Sequence, residues 1–166
     1  MFHAFDNNRP NRRASREEWM ALLSRAPLPL LENALATRTN ISLQWLRKPE
    51  TGLYMVQGRA GGTGERFNLG EITVTRCALR VGDEASPVGI AYVIGRNHRQ
   101  AELAAMADAL LQQPVMYEAL DNALLQPVRQ HVATQRAHQA ARAQSTKVDF
   151  FTLARESGMP DEGEDA

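Results

Sequence analysis

The chain has 166 residues, enough for one domain with a substantial core, and balances 19 basic against 19 acidic side chains. Zero net charge gives no global field for nucleic acid or an anionic membrane, and the lone cysteine, Cys77, excludes an intramolecular disulfide or a metal cluster built from cysteines of this chain. No segment approaches the ~18 apolar residues of a membrane span and MFHAFDNNRPNRR lacks the apolar run of a signal peptide, so a cytoplasmic protein is expected.

Residues 1–14 are polar and read as a flexible extension, residues 15–157 as a single α+β domain, and 158–166 as a disordered acidic tail. Ser15-Arg-Glu-Glu18 forms a capping box, and Trp19, Leu22, Leu23 and Ala26 follow at helical spacing, predicting a helix from Arg16 to about Arg25. Pro27 and Pro29 break that pattern, and Leu30, Leu31, Ala34 and Leu35 restart it in a short helix ending near Arg38.

Ile41, Leu43 and Trp45 alternate with polar residues, and Leu53–Gln57 forms a second apolar run. With Pro49-Glu-Thr-Gly52 between them the two read as a hairpin. Ile72–Val81 and Val88–Ile94 form another around Gly82–Pro87. Short connections predict an antiparallel sheet of four or more strands, flanked by N-terminal and C-terminal helices. Cys77, in the third strand, reads as a small core residue rather than a reactive thiol. Beyond the sheet, Asn97–Gln100 can cap a helix carrying the stripe Leu103, Met106, Ala107, Leu110 and Leu111. Tyr117, Leu120, Leu124 and Val128 continue helically, with Pro127 expected to kink or interrupt them.

The run Arg59–Gly70 (RAGGTGERFNLG) holds four glycines flanked by charge. Arg59, Glu65 and Arg66 bracket Gly61, Gly62, Thr63 and Gly64, a composition suited to an anionic or polar contact through backbone N–H groups and guanidinium forks. It matches neither the P-loop nor the dinucleotide fingerprint, and from spacing alone a glycine-rich hairpin or bulge with solvated charges is the plainer reading. Arg76 interrupts an apolar alternation and calls for a carboxylate or phosphate partner. Arg96 and His98 sit at a strand-to-helix junction where an anion can meet unsatisfied N–H groups.

From Arg129 to Lys147 the chain is basic and alanine-rich, with no acidic side chain between Asp121 and Asp149; it is either a solvated helix or one ordered by a partner. Lys147, Asp149, Phe150 and Phe151 form a late aromatic motif that either folds back as a latch or inserts into another subunit. No nucleophile with its base and no metal-ligand cluster stands out. His131 and His138 lie about 10 Å apart along a helix, too far to share an ion. The residues fit a binding or assembly subunit with no catalytic or metal site of its own. Nucleic-acid binding by the basic stretch is disfavoured by the balanced charge and the missing aromatic platform.

Gly58–Phe67, Glu71–Leu79, Ile94-Gly-Arg96 and Lys147–Thr152 occur in an order that resembles the PhnG family, the G subunit of the bacterial carbon-phosphorus lyase core complex. The likeness runs from Arg16 to Arg155, including Trp19-Met20 and the helix from Ala101-Glu102 to Leu111; both chain ends lie outside it. The resemblance implies phosphonate catabolism in a cytoplasmic complex with the H, I and J subunits, two copies of each. There an alkylphosphonate displaces adenine from the ribose of ATP, giving ribose 1-alkylphosphonate 5-triphosphate. The G subunit is implied to be required for this synthase step, associated with the I subunit. S-adenosylmethionine and the iron-sulfur cluster belong to the J subunit, so no cofactor is expected on this chain alone.

Overall fold

The computed structural model describes residues 13–38 and 41–147; the expected acidic tail and the Asp149–Phe151 motif lie outside them, as do residues 1–12 of the N-terminal extension. Helix α1 (Arg16–Leu23) starts where the capping box predicts. Ser15 Oγ accepts the Glu18 N–H at 3.3 Å, and Glu18 Oε2 accepts the Ser15 N–H at 2.6 Å. Helix α2 (Leu28–Leu35) begins earlier than expected, because Pro27 is its N-cap and Pro29 falls in the first turn, where a missing N–H costs nothing. A 3-10 turn, Ala36–Arg38, ends it.

Among the described residues the sheet has three antiparallel strands in the order β1-β2-β3, fewer than the four or more expected. The first expected hairpin does not form: β1 (Leu43–Arg59) runs through Pro49–Gly52 as one strand. Glu50, Thr51 and Gly52 pair with Arg76, Thr75 and Val74 of β2 (Arg66–Val81), and register shifts on either side of Arg47 absorb the proline on an edge strand that tolerates it. Long-range pairing thus overrides local turn chemistry. The second hairpin forms as expected, with Gly82 at φ 101° leading out of β2 towards β3 (Val88–Ile94).

Helix α3 (His98–Leu111), capped by Asn97 Oδ1 on the Gln100 N–H at 3.0 Å, covers one face of the sheet. Thr75, Cys77, Leu79 and Val81 of β2 and Ala91 and Val93 of β3 are buried beneath it. Every residue from Leu103 to Leu111 is buried, wider than the expected stripe, because α1, α2 and α4 (Pro114–Leu120) pack around the helix. Full burial of a leucine such as Leu111 contributes about 2 kcal/mol.

That burial includes Asp108, whose carboxylate is fully used. Trp19 Nε1 donates to Oδ1 at 2.8 Å, and Arg16 Nη2 and the Ile90 N–H donate to Oδ2 at 2.8 and 2.9 Å. The carboxylate thereby ties α1, α3 and β3 together. Val88 O next to this site accepts both Arg16 Nη2 at 3.0 Å and Gln112 Nε2 at 2.9 Å, so side chains close the outer edge of β3 at Val88 and Ile90.

Helix α4 (Pro114–Leu120) passes through a wide π turn, Asp121–Leu125, into α5 (Gln126–Ser145). The Gln126 N–H reaches back five residues to Asp121 O, and Pro127 follows in the first turn of α5. The expected disruption at Pro127 therefore appears as a wider turn before it, since the ring cannot tolerate the ordinary carbonyl at i−4. At the N-terminal end of the described residues, the Ala14 N–H donates to Tyr117 Oη at 2.6 Å and the Arg13 guanidinium stacks over the Tyr117 ring at 4.4 Å, so these two residues pack on α4.

Candidate interaction surface

The glycine run is the tip of a long β1–β2 ribbon that extends beyond the helices. Arg59 and Arg66 are directly opposite across its last rung, and Ala60–Gly62 turns the chain with Gly61 at φ 57° and Gly62 at φ 80°. Glycine adopts two such consecutive angles without the clash a side chain would bring. The Gly64 N–H closes the turn on Ala60 O at 2.9 Å. Arg59, Gly61, Gly62, Thr63, Glu65 and Arg66 are exposed, and no ion pair forms on either arginine among the described residues.

Behind the tip, pairing register assigns side chains to faces, because directly opposite residues share one. Tyr54 faces Ile72 and Val74 faces Ile94, all on the side of the sheet away from α3. Leu69 and Phe67 lie over Gly58, whose missing side chain leaves them room: a Cβ there would meet Leu69 Cγ at 3.2 Å and Phe67 Cζ at 3.6 Å. The result is an apolar strip in which Phe67, Leu69, Tyr54, Ile94 and Tyr92 are exposed around the half-buried Ile72 and the buried Val74. Leu69 is 64% exposed and Ile94 69% exposed, so this face carries the kind of contiguous apolar surface that soluble chains keep for partners. Leu53 and Met55, on the other side of the ribbon, are exposed as well.

Arg76 has the carboxylate its position calls for. Its Nε donates to Glu50 Oε1 at 2.6 Å across the strands, and Arg47 Nη1 also bonds that oxygen. The guanidinium of Arg47, with that of Arg76, holds the Glu50 carboxyl below its usual range. Tyr92 stands directly opposite Arg76 on the other side.

His98 lies at the start of α3 in a chain of hydroxyls. Thr75 Oγ1 donates to Gly95 O at 2.7 Å, Thr51 Oγ1 is 3.3 Å from Thr75 Oγ1, and His98 Nε2 is 3.0 Å from Thr51 Oγ1. Each hydroxyl has one hydrogen, so Thr51 donates to Thr75 and the proton on His98 sits on Nε2. Arg96 is exposed beside it. Thus Arg76, Arg96 and His98 share one end of the sheet, whereas Arg59, Glu65 and Arg66 are at the tip. Arg66 and Arg76 lie on one strand and, at about 3.3 Å per residue, are separated by roughly 30 Å.

In the basic helix α5, Val128 and Val132 are buried but every side chain from Ala133 to Lys147 is exposed. Arg129 Nη2 lies 3.0 Å from Asp121 Oδ1, an ion pair without hydrogen-bond alignment. Arg25, Arg129 and Arg136 line a shallow groove of about 50 Å³ between α1 and α5. Burial pushes the Cys77 thiol up to about 12. Among the described residues no three His, Cys, Asp or Glu side chains are grouped to hold a metal ion, and no helix is long and apolar enough to cross a membrane.

Comparison with known proteins bears on the same stretch of chain. Residues 14–156 match the family described as "Phosphonate metabolism protein PhnG". The chain is also 39% identical over 143 residues to the "Alpha-D-ribose 1-methylphosphonate 5-triphosphate synthase subunit PhnG" of Rhizobium meliloti (strain 1021), covering 86% of this chain and 90% of that relative. The matched region contains the ribbon, the sheet, every described helix and the Asp108 hub, and the chain belongs to the PhnG family.

Proposed function

We propose that this protein is an accessory subunit of ribose 1-methylphosphonate 5-triphosphate synthase in phosphonate metabolism, and that the ribbon and the open sheet face seat it on companion subunits. The observation that carries this reading is the apolar strip from Phe67 to Tyr92, which leaves large side chains in water on the separate chain. The relative's name supports the identity of the assembly. The companions are the H, I and J subunits, two copies of each with this chain, and the G subunit docks through the glycine tip and the Lys147–Phe151 segment onto the I subunit or its neighbours. ATP binds within the complex, and S-adenosylmethionine and the iron-sulfur cluster sit on the J subunit.

Four side chains that could have carried chemistry are engaged or buried. Asp108 and Glu50 are held by arginines, His98 Nε2 is bonded to Thr51, and the Cys77 thiol stays neutral. Purified alone with ATP and methylphosphonate, the chain is expected to release no adenine; with its companions present, adenine appears. Adenine release by the chain alone overturns the accessory role.

A second reading has Arg59 and Arg66 completing an active site shared with the I subunit by binding substrate phosphates. Their opposed, unpaired placement favours it, because two like charges face to face call for an anion between them. Arg66→Ala separates the two readings. Loss of turnover in an intact complex means phosphate contact, and loss of assembly means docking.

A further inference from the structure

The two edges of the sheet are finished differently. On β3, Arg16 and Gln112 donate to the outward Val88 C=O, and the outward Ile90 N–H donates to Asp108. On β1, register shifts around Arg47 break the first half of the edge, but from Thr51 to Val56 the strand pairs with β2 without interruption. Among the described residues no hydrogen bond reaches the outer side of that stretch. Alternation identifies the groups concerned. Because the Ile90 N–H points outward to Asp108, the β2 residues facing β1 are Val74, Ile72 and Gly70, which bond to Gly52, Tyr54 and Val56. Leu53 and Met55 therefore present their backbone N–H and C=O groups to solvent.

We infer that this edge accepts an extended segment of a companion subunit as a fourth strand, bonding the backbone of Leu53 and Met55 and placing a carboxylate beside Arg59. The inference rests on the subunit role proposed above and specifies how one partner contact is made. An open, flat, apolar edge is a template for strand addition, and folds that do not use one blunt it, as this chain does at Val88, Ile90 and Pro49. Charge complementarity selects the occupant. From Thr51 to Arg59 the edge has no acidic side chain, and Arg59 has only Arg66 opposite it. A second copy of β1 brings only Glu50, which Arg47 and Arg76 already hold.

Residue-resolved hydrogen exchange on the chain alone and copurified with its H, I and J companions tests this. The Leu53 and Met55 amides are expected to slow about tenfold or more in the complex, while Gly52, Tyr54 and Val56, already bonded to β2, change less. If the companions copurify but Leu53 and Met55 exchange as before, strand addition is wrong and the subunit role stands. If nothing copurifies, both fail. Concentration-dependent protection of the chain alone assigns the edge to a second copy and overturns the inference. Leu53→Pro removes one outward N–H and leaves the β2 ladder intact, so it is expected to release the companions where Leu53→Ala does not. Equal retention of companions by the two variants overturns the inference, and if Leu53→Pro does not fold, exchange on the unmodified chain decides.

Discussion

Arg59 and Arg66 stand directly opposite each other across the final rung of the β1–β2 ribbon, with no ion pair on either among the described residues. Like charges so placed destabilise a ribbon, and opposite charges contribute about 0.2 to 1 kcal/mol. Arg66→Glu is thus expected to raise the melting temperature of the free chain slightly while lowering recovery of companion subunits in a pull-down. A variant that melts higher and still recovers its companions in full shows that the tip is not a contact.

Asp108 fixes how α1 sits on α3 and β3. Asp108→Asn keeps the shape but removes the ion pair with Arg16 and turns one acceptor into a donor facing Trp19 Nε1 or the Ile90 N–H. Breaking a buried pair costs about 3 to 5 kcal/mol, and the lower figure applies because the Arg16 side chain keeps some solvent. The urea midpoint measures this, and near-native stability contradicts the role given to the carboxylate.

Gly89 lets α3 approach β3 closely. A Cβ at this position would lie 2.7 Å from Ala109 N and 2.8 Å from Ala109 Cβ, against helix backbone that cannot rotate away. Gly89→Ala is expected to cost about 3 kcal/mol, lowering the melting temperature by roughly 10 °C.

Cys77 gives a pH dependence with a definite sign. Its thiol titrates near 12 in the folded chain against 9.0 ordinarily, because burial disfavours the thiolate. The unfolded chain therefore loses this proton first, and the stabilisation, complete below pH 9, falls as pH rises from 9 towards 12. Cys77→Ala is expected to flatten that decline in urea melts. Alkylation of the native chain at pH 8 is expected to be slow and to accelerate once urea unfolds it.

Local signals were legible wherever a few neighbouring residues decide the outcome. Ser15 with Glu18, Asn97 with Gln100, and the Gly82–Pro87 connection all form as their chemistry predicts. Pro49–Gly52 misled because β1 pairs with β2 on both sides of it, an energy invisible within four residues. Asp108 was hidden for a related reason: Trp19, Arg16 and Ile90 are 89, 92 and 18 residues away, so the sequence shows only a carboxylate in an alanine-rich helix. Of the candidate site, the glycine turn was readable, and so was the need of Arg76 for an acid. The apolar strip was not, although Phe67-Asn68-Leu69 alternates, because the surrounding glycines made the segment read as loop.

The closing of β3 at Val88 and Ile90 also limits what the molecule can become. A sheet with two receptive margins can add copies indefinitely and polymerise. On the proposed strand addition, growth at β1 uses one margin, while Arg16 and Gln112 on the Val88 C=O and Asp108 on the Ile90 N–H deny a full-length strand the other, which favours a finite particle over a fibril.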